Sequence, residues 1–147
     1  MSRERTVPLL LRAAHAVRRR HRAVCERHGL TFQQFNVLRV LAGAERAGEG
    51  GLLTMELAER LIEPTVGITR FVTTLESRGL ITTQRPSNDA RRRECSLTEA
   101  GRELLAAIAP AIRAEAETEL AGLSDAQRAE LDALLGRVLA NCTSPPP

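Results

Sequence analysis

Residues 75–101 read LESRGLITTQRPSNDARRRECSLTEAG, and this stretch decides the fold. Up to Gly79 the apolar residues follow a helical spacing, whereas beyond it they alternate with polar residues along 80–85 and again along 92–97. Turn-forming residues occupy 86–89 between the two runs, which is typical of a β-hairpin. We therefore predict that a helix ends at Gly79 and that a hairpin follows it directly.

Two short helices are predicted just before this hairpin. Thr54 is placed to act as the N-cap of a helix that runs through Leu61. A second helix has Pro64 in its first turn and ends at Gly79. Two short helices followed by a hairpin form a winged helix-turn-helix, whose second helix is sized for the major groove of DNA while the hairpin, or wing, reaches an adjacent minor groove.

Longer helices are predicted on the amino-terminal side. Apolar residues recur at helical spacing from Pro8 to His28, which indicates a first helix. Thr31 and Gln34 form a capping box for the next helix. The four glycines within residues 43–51 predict a flexible connection after it.

Two more helices are predicted after the hairpin. Thr98 caps a long helix in which Pro110 should cause a kink, because proline lacks an amide hydrogen. Ser124 and Gln127 form a capping box for the last helix, which gives way to a frayed tail at residues 143–147. The pattern as a whole predicts a mainly α chain of six helices with one small β-hairpin.

The charge of the chain is distributed unevenly. All 21 basic residues of this 147-residue chain are arginine, and its formal net charge is +3. Residues 1–30 and 60–97 are rich in arginine, whereas residues 98–147 are acidic. Because a guanidinium group matches phosphate oxygens two at a time, clustered arginine indicates a polyanionic partner. A merely solvated arginine-rich surface is the alternative.

The polar face of the second short helix supplies the first candidates for DNA contact. Threonine can bond a base edge or a phosphate, and arginine can pair bidentately with guanine. An ordinary solvated helix face is the alternative. The candidates in and near the two short helices are Thr54, Thr65, Val66, Thr69, Arg70 and Thr73.

The tip of the hairpin supplies the second set of candidates. Arg91, Arg92 and Arg93 follow the turn directly, and a phosphate backbone would offset the repulsion among their charges. We predict that Arg91 enters a narrow minor groove and that Asp89 holds its guanidinium group in position. A solvated run of charges is the alternative here.

The chain closely resembles the MarR family of bacterial regulators from about residue 8 to residue 140. The most specific stretch is DARRRECSLTEAG at 89–101, which fits the D-x-R wing signature of that family, followed by Leu-Thr and a glycine. LAERL at 57–61 and LESRGLI at 75–81 also match. The chain departs from the family pattern at Pro64 and Thr73, which leaves the preferred operator open.

This resemblance implies a homodimer and a division of labour along the chain. The first helix and the last two helices would hold the dimer, and Thr69, Arg70 and Arg91 would touch DNA. Within a single domain of residues 1–147, the dimerisation helices would then be residues 8–30 and 98–141, and the winged helix-turn-helix residues 31–97. The implied function is a ligand-responsive repressor that binds a pseudo-palindromic operator.

The first helix also carries candidates for sensing a signal. The resemblance implies a small anionic effector, and Arg18, His21 and Arg22 could bind it. Two alternatives concern Cys25: its oxidation, with Arg22 lowering the pKa of the thiol, or a metal site, because Cys25 stands between His21 and His28 at helical spacing. The neighbouring arginines would repel a metal ion, so we predict no metal site and no cofactor.

Other functional classes are less favoured by the sequence. A winged helix that binds a protein partner without DNA is the main alternative. The chain lacks a glycine-rich phosphate loop and the grouped nucleophile, base and orienting residue of a hydrolase, so we do not predict an enzyme. Because it also lacks an apolar leader or span, we predict a cytoplasmic protein whose cysteines, Cys25, Cys95 and Cys142, are reduced.

Overall fold

The structure, a computed structural model, describes residues 3–62, 67–85 and 93–143. These residues form the six predicted helices and a small antiparallel sheet, so the predicted fold class is confirmed. The elements are α1 (Arg3–Arg27), α2 (Phe32–Arg46), β1 (Leu52–Leu53), α3 (Thr54–Glu59), α4 (Ile68–Ser77), β2 (Ile81–Gln84), β3 (Glu94–Leu97), α5 (Glu99–Glu119) and α6 (Asp125–Thr143).

The junction between α1 and α2 is built by local signals. Gly29 adopts a positive φ of 71° just after α1, a conformation that glycine enters without a steric penalty. The predicted capping box opens α2, since the Thr31 hydroxyl accepts from the Gln34 amide at 3.1 Å and the Gln34 side chain accepts from the Thr31 amide at 3.0 Å. The predicted flexible connection begins too early, because α2 continues through Gly43 to Arg46.

The sheet has three strands in the order β1-β3-β2, and the sequence predicted two of them. β2 and β3 form the expected hairpin, with Ile81 opposite Leu97. β1 pairs with the other edge of β3 and places Leu52 opposite Cys95. Two residues are too few to show the alternation of apolar and polar residues that marks a strand, so β1 is recognised only by its pairing with β3.

α3 begins differently from the prediction. Thr54 is the first residue of this helix and not its N-cap, because Leu53 holds the cap position. The Glu56 carboxylate accepts from the Leu53 amide at 2.9 Å and so satisfies a helix-end donor. The predicted start of the next helix at Pro64 lies outside the described residues, and the described part of α4 begins at Ile68.

The amino terminus of α5 fits closely against the turn between α4 and β2. Thr98 caps the helix as predicted, since its hydroxyl accepts from the Gly101 amide at 3.1 Å, and it also donates to the Gly79 carbonyl at 2.7 Å. A Cβ atom at Gly101 would lie 2.2 Å from the Leu80 carbonyl oxygen. Glycine is therefore required at residue 101 by the close approach of the two backbones.

The chain divides into two compact units, residues 1–112 and 113–147. The first unit holds a core centred on α2, which packs against α1, α4 and β3. The aliphatic side chains that fill this core are nearly inaccessible to solvent. Its largest fully buried side chains include Val24, Leu30, Val37, Leu38, Leu41, Leu57, Val72, Leu75, Ile81 and Ile108.

The second unit contains the end of α5 and all of α6. Ser124 and Gln127 form the predicted capping box of α6 through hydrogen bonds of 2.9 and 3.3 Å. α6 buries none of its residues and exposes a run of leucine and valine side chains. None of the helices in the described ranges combines the length and apolar character that a bilayer span requires.

Candidate nucleic-acid interface

The polar face of α4 is exposed as the sequence predicts. Val72 and Leu75 are buried in the core, while Thr69, Arg70 and Thr73 are exposed on the other side of the helix. The Thr74 hydroxyl, by contrast, donates to the carbonyl of Arg70 at 2.9 Å and is used within the helix. The exposed face therefore presents one guanidinium group and two threonine side chains.

Several arginines of the first unit are held by the protein itself. Arg60 makes a bidentate ion pair with Glu49 at 3.0 and 2.6 Å, and Arg78 donates to the Gly29 carbonyl at 2.9 Å. Arg102 pairs with Glu45 at 2.6 Å. These groups connect elements of the first unit to one another, which restricts their availability to a partner.

Arg70 and Arg85 form a contrast with these arginines. Both are exposed, and neither guanidinium group forms a hydrogen bond or ion pair with any residue that the structure describes. Arg70 stands in the first turn of α4, and Arg85 directly follows β2 at the base of the wing. Their positive charges are therefore available to an external anion.

Arg93 does not fit the sequence prediction of a DNA contact. Its Nη2 donates to Glu76 Oε2 at 2.8 Å and to Thr83 Oγ1 at 3.0 Å, and its side chain is half-buried. The hydrogen bond from Thr83 and the charge of Arg93 hold the pKa of Glu76 below its usual range. Arg93 thus connects the base of the wing to α4, and sequence reasoning missed Glu76 as its partner.

Thr54 is likewise used within the fold. Its amide and its hydroxyl both donate to the carbonyl of Arg93, at 3.0 and 3.1 Å. The hydroxyl also lies 3.8 Å from the sulfur of Cys95, which is buried. Thr54 therefore anchors β3 and is not presented as a DNA contact.

Five further candidates lie outside the described residues. Two of them belong to the predicted start of the recognition helix and three to the tip of the wing. They are Thr65, Val66, Asp89, Arg91 and Arg92.

The candidate effector residues of α1 have different environments. Arg22 is exposed, Arg18 is half-buried, and the half-buried His21 ring meets Phe32 edge to face with 6.4 Å between ring centroids. Cys25 is fully buried, and this burial raises the pKa of its thiol to about 11. The hypothesis that Arg22 lowers this pKa is therefore wrong.

Among the described residues, the structure shows no metal site at Cys25, where the spacing of His21 and His28 had suggested one as an alternative. Cys25 belongs to the core, and no group of three or more His, Cys, Asp or Glu side chains in the described ranges is arranged to hold a metal ion. The structure instead shows an open hollow of about 420 Å³ along α1, which sequence reasoning missed. Its lining residues are Leu11, Arg12, His15, Ala16 and Arg19.

The fold and this surface define a winged helix-turn-helix protein. Comparison with known proteins agrees: residues 28–92 match the model of the MarR family. The homoprotocatechuate degradative operon repressor of Escherichia coli is 33% identical over 95 residues, which cover 65% of this chain and 61% of that repressor. The matched region thus spans about three-fifths of the length of this curated relative.

Solved structures share the fold along more than nine-tenths of the chain. The S. aureus MepR–DNA complex matches with a TM-score of 0.79 and 21% identity, covering 92% of this chain and 97% of that one. BpsR of Bordetella bronchiseptica, whose DNA binding is regulated by 6-hydroxynicotinic acid, matches with a TM-score of 0.78 and 22% identity, covering 92% and 93%. The chain is thus similar to the MarR family over residues 28–92, and it shares its fold with these solved structures along more than nine-tenths of its length.

Proposed function

We propose that this chain is a sequence-specific DNA-binding regulator of transcription that acts as a homodimer. The observation that carries the proposal is the exposed face of α4, which Thr69 and Thr73 share with Arg70, whose guanidinium group bonds to no residue that the structure describes. The ten described residues of α4 span about 15 Å, which fits a major groove. Arg70 would read a guanine or hold a phosphate, and the threonines would meet base edges.

The wing would supply the second contact. Arg85 supports this role because it is exposed at the base of the hairpin and bonds to none of the described residues. The DNA contacts predicted at the start of the recognition helix and at the tip of the wing remain part of the proposal, with Arg91 in the minor groove. Arg93 and Thr54 are left out, because both are used within the fold. The set kept from outside the described residues is Thr65, Val66, Asp89, Arg91 and Arg92.

Dimerisation would cover apolar side chains that the single chain leaves in solvent. α1 exposes Val7, Leu9 and Leu11, and α6 exposes Leu134 and Leu139 among others. A helix without buried residues gains little from its own propensity and needs a partner to be stable. A two-fold dimer would place two recognition helices about 34 to 36 Å apart and so select a pseudo-palindromic operator.

We further propose that a small anionic molecule releases this repressor from DNA. The basic side chains Arg18, His21 and Arg22 of α1 remain the proposed binding residues, and the regulation of BpsR by 6-hydroxynicotinic acid is a precedent in a protein of the same fold. No cofactor or catalytic activity is part of this proposal. Such a regulator works in the cytoplasm, where the DNA is.

The test is a fluorescence anisotropy titration with labelled duplex DNA from upstream of the protein's own coding region. Arg70→Ala should weaken binding by about 1–3 kcal/mol if the side chain reads a base. Arg46→Ala is the matched control, because it removes the same charge from the exposed end of α2, outside α4, the wing and the helices proposed to pair. Absence of wild-type binding at low salt, or equal affinities of Arg70→Ala and wild type, would contradict the proposal.

A further inference from the structure

Three side chains close a ring of hydrogen bonds at the base of the wing. Glu76 lies near the end of α4, Thr83 is the third residue of β2, and Arg93 directly precedes β3. The Thr83 hydroxyl donates to Glu76 Oε1, while Arg93 Nη2 donates to Glu76 Oε2 at 2.8 Å and to Thr83 Oγ1 at 3.0 Å. Each member of this Glu76–Thr83–Arg93 triad therefore contacts both of the others.

The triad joins α4 and the wing, which the proposed function places in the major and the minor groove of DNA. Glu76 belongs to the proposed recognition helix, whereas Thr83 and Arg93 stand on the two sides of the wing. The strand register supports this arrangement, because Thr83 is opposite Cys95, two residues beyond Arg93. Side chains in such diagonal positions can meet across an antiparallel pair.

Arg93 is also fixed through its backbone. Its carbonyl accepts from both the amide and the hydroxyl of Thr54, at 3.0 and 3.1 Å, which connects it to the start of α3. The residue that ends the wing tip is thus held by α3 through its main chain and by α4 through its side chain. A change in the triad would shift the base of the wing relative to the recognition helix.

We propose that Glu76, Thr83 and Arg93 are positioning residues for DNA binding, which set the wing at the place where it and α4 engage one duplex together. This inference rests on the proposed function. The side chains of its ion pair are 35% and 34% exposed, and the Glu76 carboxylate bonds to both of the other members, which restricts their relative positions. The triad itself does not touch DNA.

Thr83 offers the sharpest test, because its hydroxyl can be removed without changing charge or strand preference. Thr83→Val is nearly isosteric and favours a strand, while Thr83→Ser keeps the hydroxyl. We expect Thr83→Val to raise the Kd for the upstream duplex by roughly tenfold, since a hydrogen bond to a charged group is lost. Thr83→Ser should bind like wild type.

The salt dependence of binding separates positioning from stability. Each phosphate contact contributes about 0.9 to the slope of log Kd against log salt, so a displaced wing should lower this slope by about 1 or 2 although Thr83→Val changes no charge. Thermal unfolding identifies temperatures at which each variant is fully folded, where a merely stabilising residue would leave the slope unchanged. If Thr83→Val does not fold, Glu76→Gln decides: it removes one negative charge, which alone would strengthen binding to phosphate, so a raised Kd and a lower slope would still report a displaced wing.

The outcomes distinguish the two proposals. Wild type that binds the duplex, together with folded Thr83→Val and Glu76→Gln that keep its Kd and slope, would overturn the triad alone. Wild type that binds no duplex at low salt would overturn the proposed function and the triad with it. A reduced slope in Thr83→Val that Thr83→Ser restores would establish the positioning role.

Discussion

The core around α2 and the terminal helix α6 differ in how they treat their apolar side chains: the first buries them and the second exposes them. Within the first unit, leucines such as Leu38, Leu57 and Leu75 are completely buried. Within the second unit, α6 buries no residue, and Leu139 is 66% exposed. The first region buries its leucines in a core of its own, whereas the second leaves them exposed to solvent. The following predictions test this difference, beginning with the largest expected effect.

The three cysteines provide the largest contrast. Cys25 and Cys95 are buried, which raises the pKa of both thiols, while Cys142 is exposed on α6. In the native protein we expect Ellman's reagent to modify Cys142 at least about a thousandfold faster than the other two, which react only after the fold opens. Cys142→Ser should abolish the fast phase, and a fast phase that persists in this variant would contradict the assignment.

Two helical glycines form the next matched pair. Alanine at Gly101 would push a Cβ atom against the Leu80 carbonyl, whereas nothing lies within 4 Å of a Cβ at Gly136 on α6. Gly101→Ala should lower the free energy of unfolding by about 3 kcal/mol because the backbones must separate. Gly136→Ala should raise it by about 0.5–1 kcal/mol through helix propensity. Urea unfolding measures both, and equal effects would refute the proposed close fit.

The exposed leucines of α6 test the proposed dimer. Leu135→Ser combined with Leu139→Ser should weaken self-association by about tenfold to a hundredfold, because less apolar surface is removed from water. Met55→Ser is the control, since Met55 is an exposed apolar side chain of α3, outside the helices proposed to pair. Sedimentation velocity over a range of concentrations gives the result. Unchanged association of the double variant would argue against this surface.

Acid stability should show the smallest effect. Hydrogen bonds from Arg102 and Arg60 lower the pKa of Glu45 and Glu49 from 4.5, so the folded state binds fewer protons than the unfolded state below that pH. Their stabilisation is therefore present above pH 4.5 and is lost as the pH falls through the lowered pKa values.

The matched variant is Glu45→Gln with Glu49→Gln, compared with Glu130→Gln on α6. We expect the double variant to lose less of its urea midpoint than wild type between pH 5 and about pH 3. The difference should shrink in high salt because both ion pairs are exposed. Parallel pH profiles of the double variant and wild type would count against these ion pairs.

Local signals in the sequence predicted much of the fold. The capping pairs Thr31–Gln34 and Ser124–Gln127, and the helix end at Gly79, each depend on residues a few positions apart, so they can be recognised without a structure. The helical spacing of the apolar residues likewise predicted which face of α4 is polar. The structure therefore confirms the prediction that Arg70 is exposed.

Long-range pairings could not be predicted in this manner. β1 depends on Cys95 and Glu94, which lie about forty positions further along the chain. Arg93 looked like one more arginine of a basic wing, and only its distance to Glu76 shows that it is engaged. The sequence records the charge of a side chain, but its partner is decided by tertiary packing.

The short edge strands of the sheet affect how the protein behaves at high local concentration. Among the residues that the structure describes, the central strand β3 is paired on both sides, and the two edge strands have two and four residues. Short edges offer few free main-chain groups to a strand from another molecule, which limits edge-to-edge aggregation. Copies of the proposed regulator that gather along one duplex would therefore have little tendency to polymerise through their sheet edges.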